Sequence, residues 1–321
     1  MSRIVLEVSD IRAEALDVLL VELRRAGGSA LEPFTPGGHL EIELPNGMIR
    51  HYSITNDWRE RDRYVVVVGR AANGRGGSDF IHQSLRRGGV LTASAPRNNF
   101  ALDPDAASYL FVAGGIGVTP IVSMIRKCVA EGREWRLVYA ARNAQRAAFY
   151  EALRGFGAKV HFHFDDQAGA VLDARRWLTE RPQGQHVYCC GPQPLMQAVR
   201  EAAAHHPADS VHFEYFVAPA AEPLAAADAG ARAGEFRVEL ARSKLSLVVP
   251  ADLSILEVLE ANGVKVPFSC REGLCRTCET TVCEGEVEHR DYVLSAEERA
   301  ESRTMMVCVS RAKSPVLVLD R

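Results

Sequence analysis

Five of the eight cysteines fall between positions 270 and 308, and four of those five carry a spacing with a chemistry of its own. Cys270, Cys275 and Cys278 follow C-x4-C-x2-C, with 29 residues between Cys278 and Cys308. A [2Fe–2S] cluster takes four thiolates, and this is the plant-type ferredoxin spacing. Three ligands on a tight loop wrap one side of a small cluster while the fourth arrives from a distant strand. Gly273 inside the loop lets backbone amides approach the sulfurs. Zinc is the competing reading, but zinc-ribbon loops pair C-x2-C knuckles instead. Cys283 stands outside the pattern and reads as a buried strand residue.

A second constellation is Ala113-Gly114-Gly115-Ile116-Gly117-Val118-Thr119-Pro120, between an apolar strand and an amphipathic helix. Glycines there let backbone approach a pyrophosphate, which the N–H groups and dipole of the next helix favour. It is not the G-x-G-x-x-G fingerprint, and alone it is equally a plain strand–helix turn. Two neighbours strengthen the nucleotide reading. Tyr139-Ala140-Ala141-Arg142 ends the next strand and offers Arg142 to a ribose or phosphate. Cys189-Cys190-Gly191-Pro192 ends a later one, where open α/β sheets collect ligands. Cys190 is placed to reach a nicotinamide, and Cys189 reads as core.

The third is Arg50-His51-Tyr52-Ser53-Ile54-Thr55-Asn56 on a β run. Strand alternation puts Arg50, Tyr52 and Ile54 on one side and Ser53 on the other. An arginine for phosphate and an aromatic for ring stacking suit a flavin mononucleotide. Asn73-Gly74-Arg75-Gly76-Gly77-Ser78 then leads into a short helix, Asp79–Leu85, with Ser78 as its N-cap. Gly76, Gly77 and Ser78 form a second anion nest.

These residues must be positioned by three kinds of element. Up to Pro104 the chain reads as short β runs (His39–Glu43, Met48–Thr55, Tyr64–Val68) with a Pro45-Asn46-Gly47 turn, which predicts a small antiparallel β-barrel. From Ser108 strands Tyr109–Val112, Arg136–Tyr139, Val160–Phe164 and His186–Cys189 alternate with helices such as Val118–Ala130 and Leu195–His205. That alternation predicts an α/β domain with a parallel sheet. Residues 217–234 include nine alanines and read as a linker. A hairpin, Phe236–Leu240 with Leu245–Val249, and a helix, Ile255–Asn262, then precede the cysteine loop. The expected domains are 1–104, 105–217 and 235–321, with 218–234 as linker.

The 321 residues, 47% hydrophobic and 25% charged, have a globular profile that excludes wholesale disorder. A formal charge of −3 gives no case for nucleic-acid binding. No apolar stretch reaches the ~20 residues that span a bilayer, and the N-terminus lacks a signal-peptide pattern. The expectation is a cytoplasmic chain that meets no membrane, with its thiols reduced.

The order RHYS, GRGGS, AGGIGVTP, YAAR, CCGP, HFEYF and C-x4-C-x2-C…C resembles the phthalate dioxygenase reductase family. That family includes vanillate O-demethylase reductases and supplies the class IA reductase components of Rieske oxygenases. The resemblance runs over essentially the whole chain. It implies a multidomain fold: an antiparallel β-barrel of the ferredoxin-reductase type, an α/β nucleotide domain and an α+β ferredoxin domain with a β-grasp fold. It also implies FMN, NADH and a [2Fe–2S] cluster, a Rieske-type oxygenase as acceptor, and a monomer. By motif, Arg50, Tyr52 and Ser53, with His51 on the same strand, match flavin ligands, and Gly76, Gly77 and Ser78 the phosphate site. Val68, Gly69 and Arg70 would border the flavin, although lysine is common where Gly69 stands. Gly114, Gly115, Ile116, Gly117, Thr119, Pro120, Arg142, Asp166, Cys190, Gly191 and Pro192 fall to the dinucleotide. Thr119 would lie between nicotinamide and flavin, and Phe216 would cover the flavin ring. Arg276 departs from the pattern, since position 276 is often glycine or another small residue. Asp165 and Asp166 favour NADH, because a carboxylate repels a 2′-phosphate; Arg142 and Arg146 argue for NADPH. The alternatives are an FAD reductase serving a diiron monooxygenase, and a zinc-stabilised nucleotide-binding module with no redox role.

Overall fold

In the first strand apolar residues alternate with polar or exposed ones, and Ile4, Leu6 and Val8 point inward while Arg3, Val5 and Glu7 face out. This two-residue period organises the N-terminal part of the computed structural model, which describes residues 3–71, 76–219 and 234–321. The strands are β1 (Arg3–Ala15), β2 (Val18–Arg25), β3 (His39–Glu43), β4 (Ile49–Ser53), β5 (Tyr64–Gly69) and β6 (Val90–Ser94). They pair antiparallel in the order β4-β3-β6-β1-β2-β5. The two edges meet where Ile54 bridges Val66, Thr55 N–H donates to Val65 O at 2.8 Å and Val65 N–H donates to Asn56 Oδ1 at 2.9 Å. Closure removes the exposed edges and gives the barrel. β1, β2 and β6 were not singled out in the sequence.

The helix after β5 is α1 (Gly77–Ser84), which begins two residues earlier than the sequence indicated. Its N-cap is Gly76, at φ +82°, and not Ser78. Ser78 Oγ instead accepts the Ala71 N–H at 3.2 Å, because the left-handed turn at Gly76 starts the helix first. Asn73, Gly74 and Arg75 lie outside the described residues.

The middle sheet is wholly parallel. Strands β7 (Ser108–Gly114), β8 (Glu134–Ala141), β9 (Val160–Phe164), β10 (Gln185–Cys190) and β11 (Val211–Glu214) run in the order β11-β10-β7-β8-β9. The helices are α2 (Val118–Ala130), α3 (Tyr150–Arg154), α4 (Asp165–Ala168), α5 (Arg175–Leu178) and α6 (Gln193–Ala202). The chain moves outward from β7 through β8 and β9, then returns to its other side, so β7 and β10 flank the topological switch point. Barrel residues Val18, Leu20, Val65 and Val67 share one core with Phe111, Val118, Ile121 and Tyr188, and residues through Glu214 form one compact unit.

The second unit, Tyr215–Arg321, carries β12 (Phe236–Leu240), β13 (Ser246–Val249), α7 (Ile255–Ala261), β14 (Glu279–Glu284), β15 (Val287–Glu288), α8 (Ala296–Glu301), β16 (Thr304–Met306), β17 (Arg311–Ala312) and β18 (Val316–Leu319). Its mixed sheet runs β13-β12-β18-β14-β16, with β12 and β18 parallel. The buried face of α7 (Ile255, Leu256, Val258, Leu259) belongs to the same core as Phe236, Val238, Leu317 and Leu319, which is the β-grasp arrangement. A reciprocal Ser254–Glu257 capping box starts α7. Cys283 lies on β14, yet it is exposed and not buried, since its strand is covered on one face only. Most of the alanine-rich segment, residues 220–233, lies outside the described residues.

Candidate functional site

The cysteine loop follows α7 and runs into β14, while Cys308 follows β16. Cys275, Cys278 and Cys308 are buried and Cys270 is half-buried. The thiols are joined in a chain: Cys275 to Cys270, Cys270 to Cys308, and Cys308 to Cys278. Among the described residues no three or more His, Cys, Asp or Glu side chains surround a single-ion position. The Glu272 and Leu274 N–H groups both donate to Cys270 Sγ at 3.3 Å. The Cys275 and Cys308 thiols, followed by these amides, hold Cys270 well below the usual thiol range. A cysteine already poised as thiolate is what a metal–sulfur group needs. Gly273, at φ +72°, is forced by space as well: a Cβ there would lie 2.8 Å from Val309 Cγ2 and 3.0 Å from Asp291 Cα. The donor set therefore fits a dinuclear iron–sulfur group.

At the sheet's switch point the glycines separate into two classes. A Cβ on Gly117 would sit 2.2 Å from Cys190 O, and one on Gly114 would sit 2.5 Å from Pro192 Cδ. A Cβ on Gly191 would be 2.9 Å from Gly114 Cα. These three glycines let the β7 and β10 turns pack on each other. Gly115 alone, at φ +52° with no atom within 4 Å of a Cβ, faces open space. The turn after it is a short 3-10 segment, Gly115–Gly117, that runs into α2. Thr119 is buried and its hydroxyl donates to Ile116 O at 3.0 Å; Pro120 is buried in the same first turn. Tyr139 donates to Gly115 O at 3.1 Å. Exposed Arg142 and Asp166 meet at the neighbouring strand ends, where the Asp166 N–H donates to Arg142 O at 3.1 Å. Arg146 instead pairs with Asp17 of the barrel at 2.8 Å.

Beside Gly117 and Gly191 the strand register sets Cys190 opposite Glu214. Burial, then Glu214 and Cys189, push the Cys190 thiol well up, so it is neutral. Burial also pushes the Glu214 carboxyl up to about 8, and its Oε2 has no hydrogen-bond partner among the described residues. A half-buried acid at a strand end, with one covered oxygen left unpaired, is costly without a ligand to complete it. Sequence reasoning gave Glu214 only structural or polar support; the signal for more is its register with Cys190, which appears only once β10 and β11 pair in parallel.

On the barrel, Arg50 of β4 faces the start of α1. A Cβ on Gly77 would lie 2.2 Å from Arg50 Nε, so the guanidinium lies directly over the helix N-terminus. Burial pushes the Tyr52 phenol up to about 12, which leaves it neutral, and Ser53 is buried at the strand end. His51 shares the strand and lies edge-on to His39, ring centroids 5.4 Å apart. Gly69 packs against Ile116, with Cγ1 only 3.3 Å from a Cβ position, so the Val68-Gly69-Arg70 strand end meets the nucleotide turn. Arg70 pairs with Asp79 of α1 at 2.7 Å. The end of β5, the glycine turn and Thr119 thus converge within one unit. Phe216 belongs to the second unit and is exposed.

Residues 238–313 match the family model described as a 2Fe-2S iron-sulfur cluster binding domain. Residues 90–212 match the N-terminal domain of the dimethylamine monooxygenase subunit DmmA-like family. Phthalate dioxygenase reductase from Burkholderia cepacia is 43% identical over 321 residues, 98% of this chain and 96% of that one. The chain belongs to the phthalate dioxygenase reductase family. A solved phthalate dioxygenase reductase, described as a modular structure for electron transfer from pyridine nucleotides to [2Fe-2S], superposes with a TM-score of 0.72 at 42% identity, covering 100% of this chain and 98% of that one. An intact type IV self-sufficient cytochrome P450 monooxygenase matches with a TM-score of 0.92 at 36% identity over 99% of this chain, which spans 41% of that longer protein. As the family's architecture requires, barrel, parallel sheet and β-grasp ferredoxin follow one another along the chain. Among the described residues no helix is long and apolar enough to cross a membrane.

Proposed function

We propose that this chain is the NADH-dependent reductase component of an oxygenase system, passing electrons from NADH through FMN to a [2Fe–2S] cluster and on to a Rieske-type oxygenase. The observation that carries the reading is the amide-lined chain of four thiols, in one polypeptide with a nucleotide turn packed on a flavin-type strand end. When bound, the cofactors supply hydride acceptance and one-electron transfer, so the protein supplies binding, spacing and electrostatics. Cys270, Cys275, Cys278 and Cys308 would hold the cluster. Arg50, over the α1 N-terminus, would hold the flavin phosphate together with Gly76, Gly77 and Ser78. Tyr52, His51 and Ser53 would line the ring, with Val68, Gly69 and Arg70 at its border.

The open face of Gly115, with Gly114, Ile116, Gly117 and Pro120 behind it, would take the pyrophosphate. Thr119, Cys190, Gly191 and Pro192 would face the nicotinamide, whose carboxamide would satisfy the orphan Glu214 Oε2. Arg142 and Asp166 would meet the adenine ribose. The engagement of Arg146 by Asp17 removes one of the two cations that argued for a 2′-phosphate, which supports NADH. The boundaries 1–104, 105–217 and 235–321, a monomer and a cytoplasmic location complete the proposal. A cytochrome P450 acceptor is the second reading, favoured by the high TM-score to the P450 fusion.

An anaerobic visible spectrum with and without NADH tests the function. Flavin bands and broad cluster absorbance that both bleach are expected; a colourless, zinc-containing protein would refute the reading. Released flavin should co-chromatograph with FMN, and recovery of FAD would redirect the acceptor towards the diiron class. Arg50→Ala is expected to weaken FMN retention roughly 10- to 100-fold, since a charge-assisted phosphate contact contributes about 1.5–3 kcal/mol. Fluorescence titration of flavin-free protein measures this, and unchanged affinity would move the phosphate elsewhere.

A further inference from the structure

Arg276 lies between two of the cluster cysteines, one residue after Cys275, with φ +59°. That left-handed conformation is costly for any residue with a Cβ. An arginine at such a place needs compensation, and the structure supplies it. The Arg276 guanidinium donates to Val293 O at 2.9 Å and pairs with Glu298 Oε2. The same Glu298 oxygen accepts the Ser295 N–H at 2.7 Å in the capping box that begins α8. One guanidinium therefore ties the cluster loop to the return segment and to α8. A second tie runs beside it, from the Tyr292 N–H to Gly273 O at 3.0 Å. Neither charge is fully exposed: the side chains retain 28% and 41% of their accessible surface.

We propose that Arg276 and Glu298 are a positioning pair that sets the reduction potential of the cluster through opposed charges. The inference rests on the iron–sulfur reading above. Reduction adds one negative charge beside Cys275, and net charge around such a cluster is a main determinant of its potential. Arg276 favours the added electron and raises the potential; Glu298 opposes it. Half-burial keeps both from being screened as completely as surface ions are. The two members consequently act with opposite sign, which a merely mechanical tie does not produce.

The test is an anaerobic redox titration of the full-length protein, followed by visible absorbance and electron paramagnetic resonance, with iron and sulfide assayed first. Arg276→Gln is expected to lower the cluster potential, shifting electron sharing with the flavin roughly threefold, about 28 mV at 59 mV per tenfold. Glu298→Gln should raise it by a similar amount, because glutamine keeps the capping hydrogen bond while losing the charge. The double variant should return close to the parent, and Arg276→Lys should stay there. If Arg276→Gln assembles no cluster, Glu298→Gln still carries the sign test, and a fall or no shift there overturns the proposal. Shifts of one sign in both single variants, or none, overturn the proposal with the function intact. A parent protein without iron and sulfide overturns the functional reading and the pair together.

Discussion

Cys275→Ser should leave NADH-driven bleaching of the flavin at its parental rate and cut delivery to the partner oxygenase by at least roughly 100-fold. The asymmetry follows from where the residue sits. Cys275 is buried in the second unit and linked to the Cys270 thiol, whereas Thr119, Cys190 and the Gly115 turn all lie in the first. A serine hydroxyl does not replace a thiolate ligand, so the damage is confined to the unit that holds it. Stopped-flow flavin absorbance checks the first half and coupled oxygenase turnover the second. Full turnover in the variant would remove the cluster from the electron path.

The second large effect lies at the sheet's switch point. Gly117→Ala should destabilise the protein by about 3 kcal/mol, because its methyl group would meet the Cys190 carbonyl backbone and not a side chain that can rotate away. NADH affinity should fall with it, as the β7 and β10 turns are forced apart. Gly115→Ala is the control two residues away. It meets open space, and its positive φ should cost only about 1 kcal/mol. Thermal unfolding of both variants checks the difference in stability, and NADH titration checks Gly117→Ala. Equal costs would mean that the Gly117 contact relaxes freely.

Much of this was legible in the sequence, for identifiable reasons. The cysteine spacing is a local code, and the four thiols do come together. The parallel sheet was visible because strands buried on both faces read as apolar runs, such as Tyr109–Val112. The barrel was half visible: β3, β4 and β5 stand out. β1 does not, since its long polar-interrupted alternation extends into Asp10, Arg12 and Glu14. What stayed hidden depends on long-range pairing. The glycines of the nucleotide turn were read as room for a ligand, yet Gly114 and Gly117 make room for Pro192 and Cys190, far along the chain. Glu214 became informative only through its register with Cys190. Ser78 fits the N-cap composition rule, but Gly76 takes that place by adopting a conformation open to glycine.

The core shared by Val18, Leu20, Val65 and Val67 with Phe111, Val118, Ile121 and Tyr188 bears on how such proteins exchange parts. A gene crossover near residue 104 would join a barrel from one parent to a sheet from another, and eight interdigitating side chains would have to match at once. A crossover after Glu214 divides none of the three core clusters found among the described residues. Chimeras that trade the ferredoxin portion between relatives are therefore the ones expected to fold, so acceptor choice can diversify while the hydride-handling half is inherited whole.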